Sequence, residues 1–234
     1  MKVQFDKIYC INYIKAPERR KFMTQQFEEL GLIDKVEFFN AIDYSEIFPQ
    51  SIFSELNSTT QTFPILGCAI SHYSCISSAY EQGLNNILIL EDDICFLKDK
   101  DVLEKYFNNL PRNYRYIKYV VTGFNKKNTP DNLYNSLNGD MFMNSCAGAY
   151  ALDRNGMAEW LLYQKKMKLM AADWVPGFYI NINKGYYPNK LIMTPQIFLE
   201  PEGKEINTKL IHEFDKNDFY LPDKFLVSTI NKNR

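Results

Sequence analysis

The chain has 234 residues, 46% of them hydrophobic and 15% aromatic, and its formal net charge at pH 7 is −1. This length fits one large domain, or one domain with a small appendage, and this apolar content supports a sizeable core rather than disorder. The near-zero charge gives no reason to expect a nucleic-acid partner. No run approaches the roughly 18 apolar residues of a membrane span, and the opening residues lack the layout of a signal peptide.

Five cysteines lie mostly inside apolar segments: Cys10, Cys68, Cys75, Cys95 and Cys146. They lack the paired spacing of a zinc site, and their odd number argues against a complete disulfide framework. We therefore expect buried, reduced thiols in a cytoplasmic protein.

The first forty residues have the pattern of a β-α-β unit, which predicts a parallel sheet. The predicted elements are a strand over 7–12, a helix from Pro17 to about Leu30, and a second strand over 36–39. Proline suits the first position of a helix because its missing N–H costs nothing there, and Gly31 provides a stop.

Two arginines, Arg19 and Arg20, fall in the first turn of that helix, just beyond the carboxyl end of the first strand. Guanidinium forks match the geometry of phosphate groups, so both residues are candidates for contact with a pyrophosphate or nucleotide. The same pattern is also that of ordinary solvated helix residues, and the sequence leaves both interpretations open.

Residues 43–63 are polar and are predicted to form an irregular loop, whereas residues 64–80 keep a helical period. Ser71 lies on the serine-rich face of this helix, and His72 lies beside that face. A single helical histidine is more often structural than catalytic, so local sequence does not decide the role of His72.

The stretch from Asn86 to Phe96 points most directly to chemistry. Four apolar residues, 87–90, run into Glu91, Asp92 and Asp93, which predicts a strand buried on both faces and ending in three carboxylates. Open α/β sheets place ligand sites just outside the carboxyl ends of their strands. The repulsion among the acids is relieved by a divalent cation, and hard oxygen ligands favour Mg²⁺ or Mn²⁺ over Zn²⁺. A solvated acidic turn is the alternative.

The rest of the chain continues the alternation of helices and strands. The predicted elements are a helix over 99–110, a strand over 116–121, a surface loop over 125–139, a strand over 146–152, a helix capped by Asp153 and ending near Met170, and an edge strand over 189–198 interrupted by Pro195. A charged segment follows over 201–234.

Asp173 is set among apolar neighbours in the run 171–177. Desolvation raises the pKa of a carboxyl group in such a setting, which suits a general base. A helix cap or a buried ion pair is the alternative role.

Four segments taken together resemble glycosyltransferase family 25, which includes bacterial lipooligosaccharide galactosyltransferases and collagen galactosyltransferase domains. They are Ile11-Asn12 with Pro17-Glu-Arg-Arg20, Gly67-Cys-Ala-Ile-Ser-His72, Ile89-Leu-Glu-Asp-Asp-Ile94, and Ala147-Gly-Ala-Tyr150 with Asp173 downstream. Their order and gaps agree with the family over roughly residues 5 to 200. One departure is Pro64-Ile-Leu66, where many members carry Gly-Glu-Ile, so the acceptor is not assigned from the family.

The resemblance implies a GT-A-like α/β fold: one domain over 1–200 with a Rossmann-related, mostly parallel sheet flanked by helices. It implies an inverting transfer of galactose or glucose from a UDP-sugar to a hydroxyl of a glycan or glycoconjugate such as lipooligosaccharide. Glu91 and Asp93 are then expected to hold Mn²⁺ or Mg²⁺ against the pyrophosphate. Asp173 is the expected base, preferred over Asp153 and His72.

The residues expected on the donor side are Asn12, Tyr13, Arg19, Arg20, Ser71, His72 and Asp92. Asn12 and Tyr13 end the first strand, where they are placed to meet the nucleotide base or ribose, and either arginine adds positive charge on the leaving group.

Alternatives remain open at this point. They are a collagen-type hydroxylysine transferase, a sugar nucleotidyltransferase, and a non-catalytic nucleotide-sugar-binding relative. We expect a cytoplasmic protein, with contact to the inner face of a membrane left open, and the sequence does not fix its oligomeric state.

Overall fold

The computed structural model describes residues 1–43, 49–120, 132–137, 146–176, 184–190 and 192–195. Its strands are β1 (Lys7–Asn12), β2 (Val36–Asn40), β3 (Asn86–Glu91), β4 (Ile94–Phe96), β5 (Tyr116–Lys118), β6 (Tyr134–Ser136), β7 (Ala149–Asp153), β8 (Gly185–Pro188) and β9 (Met193–Pro195). Its α-helices are α1 (Pro17–Leu30), α2 (Phe63–Glu81), α3 (Lys100–Asn108) and α4 (Arg154–Lys166). Short 3₁₀ helices cover Ile33–Lys35, Gln50–Glu55 and Ser58–Thr60.

The main sheet of the described chain has seven strands in the order β2-β1-β3-β7-β5-β8-β6. Five of these strands run in one direction, and β7 and β6 run the opposite way. The predicted α/β class, with a mostly parallel sheet and helices packed on it, is therefore confirmed. A second sheet pairs β4 with β9 in antiparallel register.

Strand β3 is buried on both faces of the sheet, as its apolar run predicts. Leu88 and Leu90 lie in one hydrophobic core together with residues of α1 and α3. Ile87 and Ile89 lie in a second core, on the other face of the sheet, with residues of α2 and α4. All four side chains are inaccessible to solvent, because helices cover both faces of the strand.

Local signals place the helix ends. Helix α1 has Pro17 in its first turn and ends at Gly31, whose φ of +65° is the left-handed conformation that glycine adopts most easily. Asp153 caps α4 by accepting a hydrogen bond from the backbone N–H of Gly156 at 2.6 Å. That helix ends at Lys166, earlier than predicted. No helix in the described part of the chain combines the length and apolarity needed to cross a bilayer.

Several further predictions about the elements are wrong. The loop predicted over 125–139 contains β6, because the Tyr134 ring packs in the core and its hydroxyl donates to the Tyr106 carbonyl at 2.7 Å. The irregular segment 43–63 contains two 3₁₀ helices, and the strand predicted from residue 146 begins at Ala149. Of the edge strand predicted over 189–198, β9 covers Met193–Pro195, with Pro195 opposite Ile94, and residues 191 and 196–198 lie outside the described part of the chain. The charged segment 201–234 lies outside the described residues.

All five cysteines are free thiols, as predicted. Cys10, Cys75 and Cys95 are buried, whereas Cys68 and Cys146 are partly buried. Cys68 and Cys146 are close to the carboxyl edge of the sheet, where the candidate site residues lie.

The strand directions define that edge. Strands β1, β3 and β5 run the same way, so their last residues, Asn12, Glu91 and Lys118, lie at one edge of the sheet. Strand β7 runs the opposite way, so the chain enters it at this edge, next to Gly148. The sequence stretches singled out for chemistry therefore meet at one place.

Candidate active site

The three acids at the end of β3 have different surroundings. Asp92 is 5% exposed, and its carboxylate faces β1 and α1. Its Oδ2 accepts hydrogen bonds from Asn12 Nδ2 at 2.8 Å and from the backbone N–H of Tyr13 at 3.0 Å. Its Oδ1 pairs with Arg19 Nη1 at 3.0 Å. Asp92 therefore fixes the positions of three predicted donor-side residues, and protein groups already engage both of its oxygens.

Glu91 faces the opposite way, towards α2. Its Oε1 lies 3.3 Å from His72 Nε2 and accepts from the Cys68 thiol at 3.7 Å. Cys68 and His72 are four residues apart and so share one face of the helix. Burial raises the pKa of Glu91, but the hydrogen bond and charge of His72, with smaller effects of Cys68 and Arg19, outweigh burial and lower the net pKa. Glu91 is therefore held as a carboxylate.

His72 is fixed from its other side by Tyr150. The Nδ1 atom of His72 lies 2.7 Å from the Tyr150 hydroxyl oxygen, and the two rings stack with centroids 5.6 Å apart. Tyr150 in turn stacks on Trp160 with centroids 5.0 Å apart. Because Glu91 is a carboxylate and can only accept, the contact between them assigns a proton to Nε2 of His72. A packed aromatic column thus orients the histidine.

Asp93 is the third carboxylate of the acidic turn, which we define as residues 91–93. Its pKa is raised to about 7, chiefly by burial and then by the charges of Glu91 and Asp92, although Arg19, whose Nη1 lies 4.0 Å from Asp93 Oδ2, acts in the opposite direction. Glu91 and Asp93 are the residues that would hold a divalent cation, whose charge would compensate the two carboxylates. Their hard oxygens fit Mn²⁺ or Mg²⁺.

A softer set of ligands lies beside that pair. The ligand atoms of Cys68, His72 and Glu91 all lie within 4.8 Å of one another. Sulfur and imidazole ligands favour transition metals over Mg²⁺, so this part of the site would bias a bound ion towards Mn²⁺ or a softer metal.

Asp173 is partly buried, and charged groups of the same edge act on it. Burial raises its pKa, Lys118 and His72 oppose that effect, and Glu91 adds to it. These influences place the carboxylate within electrostatic reach of the Glu91–His72 pair. Trp174, the next residue in the chain, is 43% exposed.

Two further predicted residues, Arg20 and Ser71, have contacts elsewhere than with the acids. Arg20 is exposed, and its guanidinium lies over the Phe38 ring at 4.4 Å, away from the acids. Ser71 is buried, where it accepts from the Ile42 backbone N–H at 2.8 Å and donates to the Gly67 carbonyl at 2.6 Å. The first contact joins α2 to the chain after β2, and the second lies within α2 itself, so both contacts of Ser71 are structural.

The Tyr13 ring lies at the rim of the site. Its backbone N–H is bound to Asp92, whereas its hydroxyl donates to Asp43 Oδ2 at 2.7 Å, and Lys15 Nζ pairs with the same oxygen at 3.2 Å. The ring is therefore held at the protein surface, next to the groups that Asp92 positions.

Sequence analysis assigned no role to Lys118, Tyr150 or Cys68. Lys118 is 4% exposed at the end of β5, and a single lysine inside the apolar run 116–121 was an available signal for it. Tyr150 and Cys68 lie in two of the segments that resemble the family, but an aromatic residue in a strand and a cysteine in a helix are ordinary core residues, so neither residue type indicated a role.

Comparison with known proteins identifies the family. The family model described as "Glycosyltransferase family 25 (LPS biosynthesis protein)" matches residues 5–175. That range contains β1, α2, the acidic turn, β7 and Asp173, and so includes every site residue described above.

Curated relatives carry the same family name. A "Glycosyltransferase 25 family member" of Drosophila melanogaster is 31% identical over 106 residues, which are 41% of this chain and 17% of the relative. The Drosophila pseudoobscura pseudoobscura protein is 35% identical over the same shares of the two chains. The human "Inactive glycosyltransferase 25 family member 3" is 26% identical over 41% of this chain and 18% of its own length. The chain spans less than a fifth of these relatives.

Among solved structures, an active-site mutant of LgtC matches with a TM-score of 0.42 and 8% identity, covering 94% of this chain and 98% of that one. The galactosyltransferase LgtC in complex with donor and acceptor sugar analogs matches at the same level. Likeness this low adds nothing to the assignment, which depends on the family model. Because the family model covers most of the chain, including the acids of residues 91–93, the protein belongs to glycosyltransferase family 25.

Proposed function

We propose that this protein transfers galactose or glucose from a UDP-sugar to a hydroxyl group of a glycan or glycoconjugate, with inversion at the anomeric carbon. The observation that carries the proposal is the meeting of three groups at one sheet edge. These are the Asp92-anchored Arg19, the carboxylate pair of Glu91 and Asp93, and the partly buried Asp173.

Glu91 and Asp93 are the residues that would hold a divalent cation, Mn²⁺ or Mg²⁺. When bound there, the ion supplies Lewis-acid stabilisation of the charge that develops on the departing diphosphate. Arg19 supplies positive charge from the protein itself. Asp92 occupies only part of its guanidinium fork, so further N–H groups remain to donate to a phosphate oxygen.

Asp173 is the proposed general base. Direct inversion requires a base on the face of the sugar opposite the leaving group, where it takes the proton of the acceptor hydroxyl as that oxygen bonds to the anomeric carbon and UDP departs. The pKa of Asp173 is raised by burial, and a carboxylate with a raised pKa is a stronger proton acceptor.

Trp174 supports a carbohydrate acceptor. An indole that is 43% exposed and follows the base in the chain offers a flat apolar surface on which one face of a sugar ring can pack. Lipooligosaccharide is the acceptor we propose first, and a hydroxylysine-type acceptor is the second. A cytoplasmic location, with or without contact to a membrane surface, remains part of this proposal.

A non-catalytic sugar-nucleotide-binding protein is the second candidate function, because some relatives are named inactive. This second candidate predicts UDP binding without turnover, whereas the first candidate predicts UDP binding and turnover.

The test is a panel of nucleotide sugars, incubated with Mn²⁺ and a mixture of glycan acceptors, with UDP release and sugar transfer both measured. We expect turnover with UDP-galactose or UDP-glucose that excess chelator removes and added Mn²⁺ restores. Asp101→Asn, an exposed carboxylate of α3, is the matched control and should behave as wild type. UDP binding without any release or transfer would favour the second candidate.

A further inference from the structure

Lys118 is a buried lysine at the carboxyl end of β5. It lies directly opposite Tyr150 in the antiparallel β5–β7 pair, and opposite residues of such a pair project from the same face of the sheet. Tyr116, two residues earlier on that face, packs against the Tyr150 ring with centroids 5.6 Å apart. The intervening Ile117 belongs to the core on the other face. The Lys118 side chain therefore leaves the sheet on the side of α2, His72 and Glu91.

A lysine in this position is costly. Burial of an ammonium group is unfavourable unless anions or hydrogen-bond acceptors compensate it, and an apolar side chain of similar volume would fill the space without that cost. The flanking residues of the strand, Tyr116, Ile117 and Tyr119, are all buried and hydrophobic. The charge of Lys118 thus needs an explanation other than packing.

Asp173 provides one. Its neighbours Ala172 and Val175 pack in the core that also contains Tyr116 and Tyr150, so this segment lies on the face of the sheet from which Lys118 projects. Burial lowers the pKa of Lys118, whereas Cys146 and Asp173 favour its charged form; in return, the ammonium lowers the pKa of Asp173. The other titratable groups that interact with Asp173 are Glu91, His72, Cys68 and Tyr116. Lys118 is the group that most strongly favours the ionised form of Asp173 among these neighbours.

The sheet order separates this cation from Arg19. Arg19 is held at the end of β1, and β3 and β7 lie between β1 and β5. Three inter-strand steps of about 4.8 Å put the two strands about 14 Å apart. Arg19 and Lys118 are therefore two separate positive groups, one on each side of β3 along the sheet edge. An inverting displacement likewise needs its base apart from the leaving group, on the opposite face of the sugar.

We propose that Lys118 is a positioning residue for the transfer reaction: its buried ammonium holds the Asp173 carboxylate ionised and oriented towards the acceptor hydroxyl. This inference rests on the proposed function of Asp173 as the base. Lys118 itself touches neither the donor phosphates nor the reacting atoms.

Lys118→Met tests the proposal, because methionine keeps most of the volume and loses the charge. We expect kcat at neutral pH to fall by about tenfold or more, yet by less than the roughly 10²–10⁴-fold of losing a base. The acid limb of the kcat–pH profile should move to higher pH, since Asp173 loses the charge that lowers its pKa. The Kd of UDP, measured by calorimetry, should stay within about twofold, a difference of less than half a kcal/mol.

Two companion variants control this experiment. Lys118→Arg keeps the charge, so its acid limb should stay at the wild-type pH even if kcat falls. Lys35→Met removes a lysine that binds the Val3 and Phe5 carbonyls away from the site, and it should leave the profile unchanged. An unmoved acid limb in Lys118→Met, a moved one in Lys118→Arg, or a large loss of UDP affinity would overturn the proposal.

A second arm does not depend on activity. Unfolding by urea is measured for Lys118→Met, Asp173→Asn and the double variant. We expect the two effects to be non-additive, because each single variant leaves the other charge without its counter-charge. Additive effects would overturn the pairing whatever the transfer assay shows. If the unfolding effects are non-additive but the wild type transfers no sugar, the proposed function is refuted and the Lys118–Asp173 pairing is not.

Discussion

The Nη1 atom of Arg19 lies 3.0 Å from Oδ1 of Asp92, and this ion pair joins the first turn of α1 to the carboxyl end of β3. The other oxygen of Asp92 binds Asn12 and the backbone of Tyr13. One carboxylate of the acidic triplet thus fixes three of the residues that we propose for donor binding. Glu91 and Asp93 are the two acids that we propose as metal ligands.

The two arginines of α1 are expected to differ in their effect on UDP binding. Arg19→Ala should weaken the binding of UDP by about 1.5–3 kcal/mol, the range for a hydrogen bond to a charged group. Arg20→Ala is the matched control, because its guanidinium lies over Phe38, and it should leave the Kd unchanged. Calorimetric titration of UDP onto each variant measures both values. Equal losses in the two variants would contradict the assignment.

Removal of the metal should stop the reaction without unfolding the protein. Asp93→Ala is expected to abolish transfer, because Glu91 alone then remains of the carboxylate pair, and to preserve the far-ultraviolet circular dichroism spectrum. Chelation of the wild type should have the same effect, reversed by Mn²⁺. Full activity in excess chelator would show that no divalent ion is needed.

The raised pKa of Asp93 predicts how the stability of the metal-free protein depends on pH. Its pKa is raised from 3.8 to about 7 in the folded state, so between about pH 4 and pH 7 the folded state binds more protons than the unfolded state. The free energy of unfolding should therefore fall as the pH rises through this window, by about 1.4 kcal/mol for each unit of pKa difference, and then level off.

Asp93→Asn is the control for that experiment, since it removes the titrating group. The difference in urea midpoint between the wild type and this variant should change between pH 4 and pH 7 and be constant above it. Mn²⁺ should stabilise the wild type more at pH 7 than at pH 5, because the ion binds the ionised carboxylate. A pH-independent difference would refute the raised pKa.

Asp173→Asn separates the roles of base, donor ligand and structural cap. The substitution is nearly isosteric, so folding and UDP binding should be preserved, while kcat falls by about 10²–10⁴-fold. Melting temperature, Kd of UDP and kcat are measured on the same variant. A kcat within about threefold of wild type would move the base to Asp153 or His72. Asp153 is already engaged as the cap of α4 and by Arg115 at 2.7 Å, which favours His72 of the two.

Trp174→Ala is expected to act on the acceptor alone. Loss of the exposed indole should raise the KM of a glycan acceptor severalfold, whereas the Kd of UDP and the melting temperature should change little, because a partly exposed side chain contributes less to the core. Leu162→Ala, which removes an exposed hydrophobic side chain of α4, is the control and should leave the KM unchanged. A lower melting temperature with an unchanged KM would make Trp174 a packing residue.

Local sequence was sufficient for the central elements and for the edge of the sheet where the candidate site residues lie. Residues 87–90 are all apolar, so they form a buried strand, and the acids that follow them lie at the carboxyl edge of the sheet. Pro17 and Gly31 bound α1, and Asp153 caps α4, because these residues act through their own backbone and near neighbours.

What the side chains do at that edge was decided by tertiary structure. Glu91 and Asp92 point to opposite faces, as adjacent residues of a strand do, but the packing of α2 and α1 decides that one meets His72 and the other meets Arg19. Arg19 and Arg20 differ by about 100° around the helix axis, so the packing of α1 alone determines which of them meets Asp92. Lys118 enters the site through its cross-strand register with Tyr150, a long-range pairing that nothing in residues 116–121 specifies.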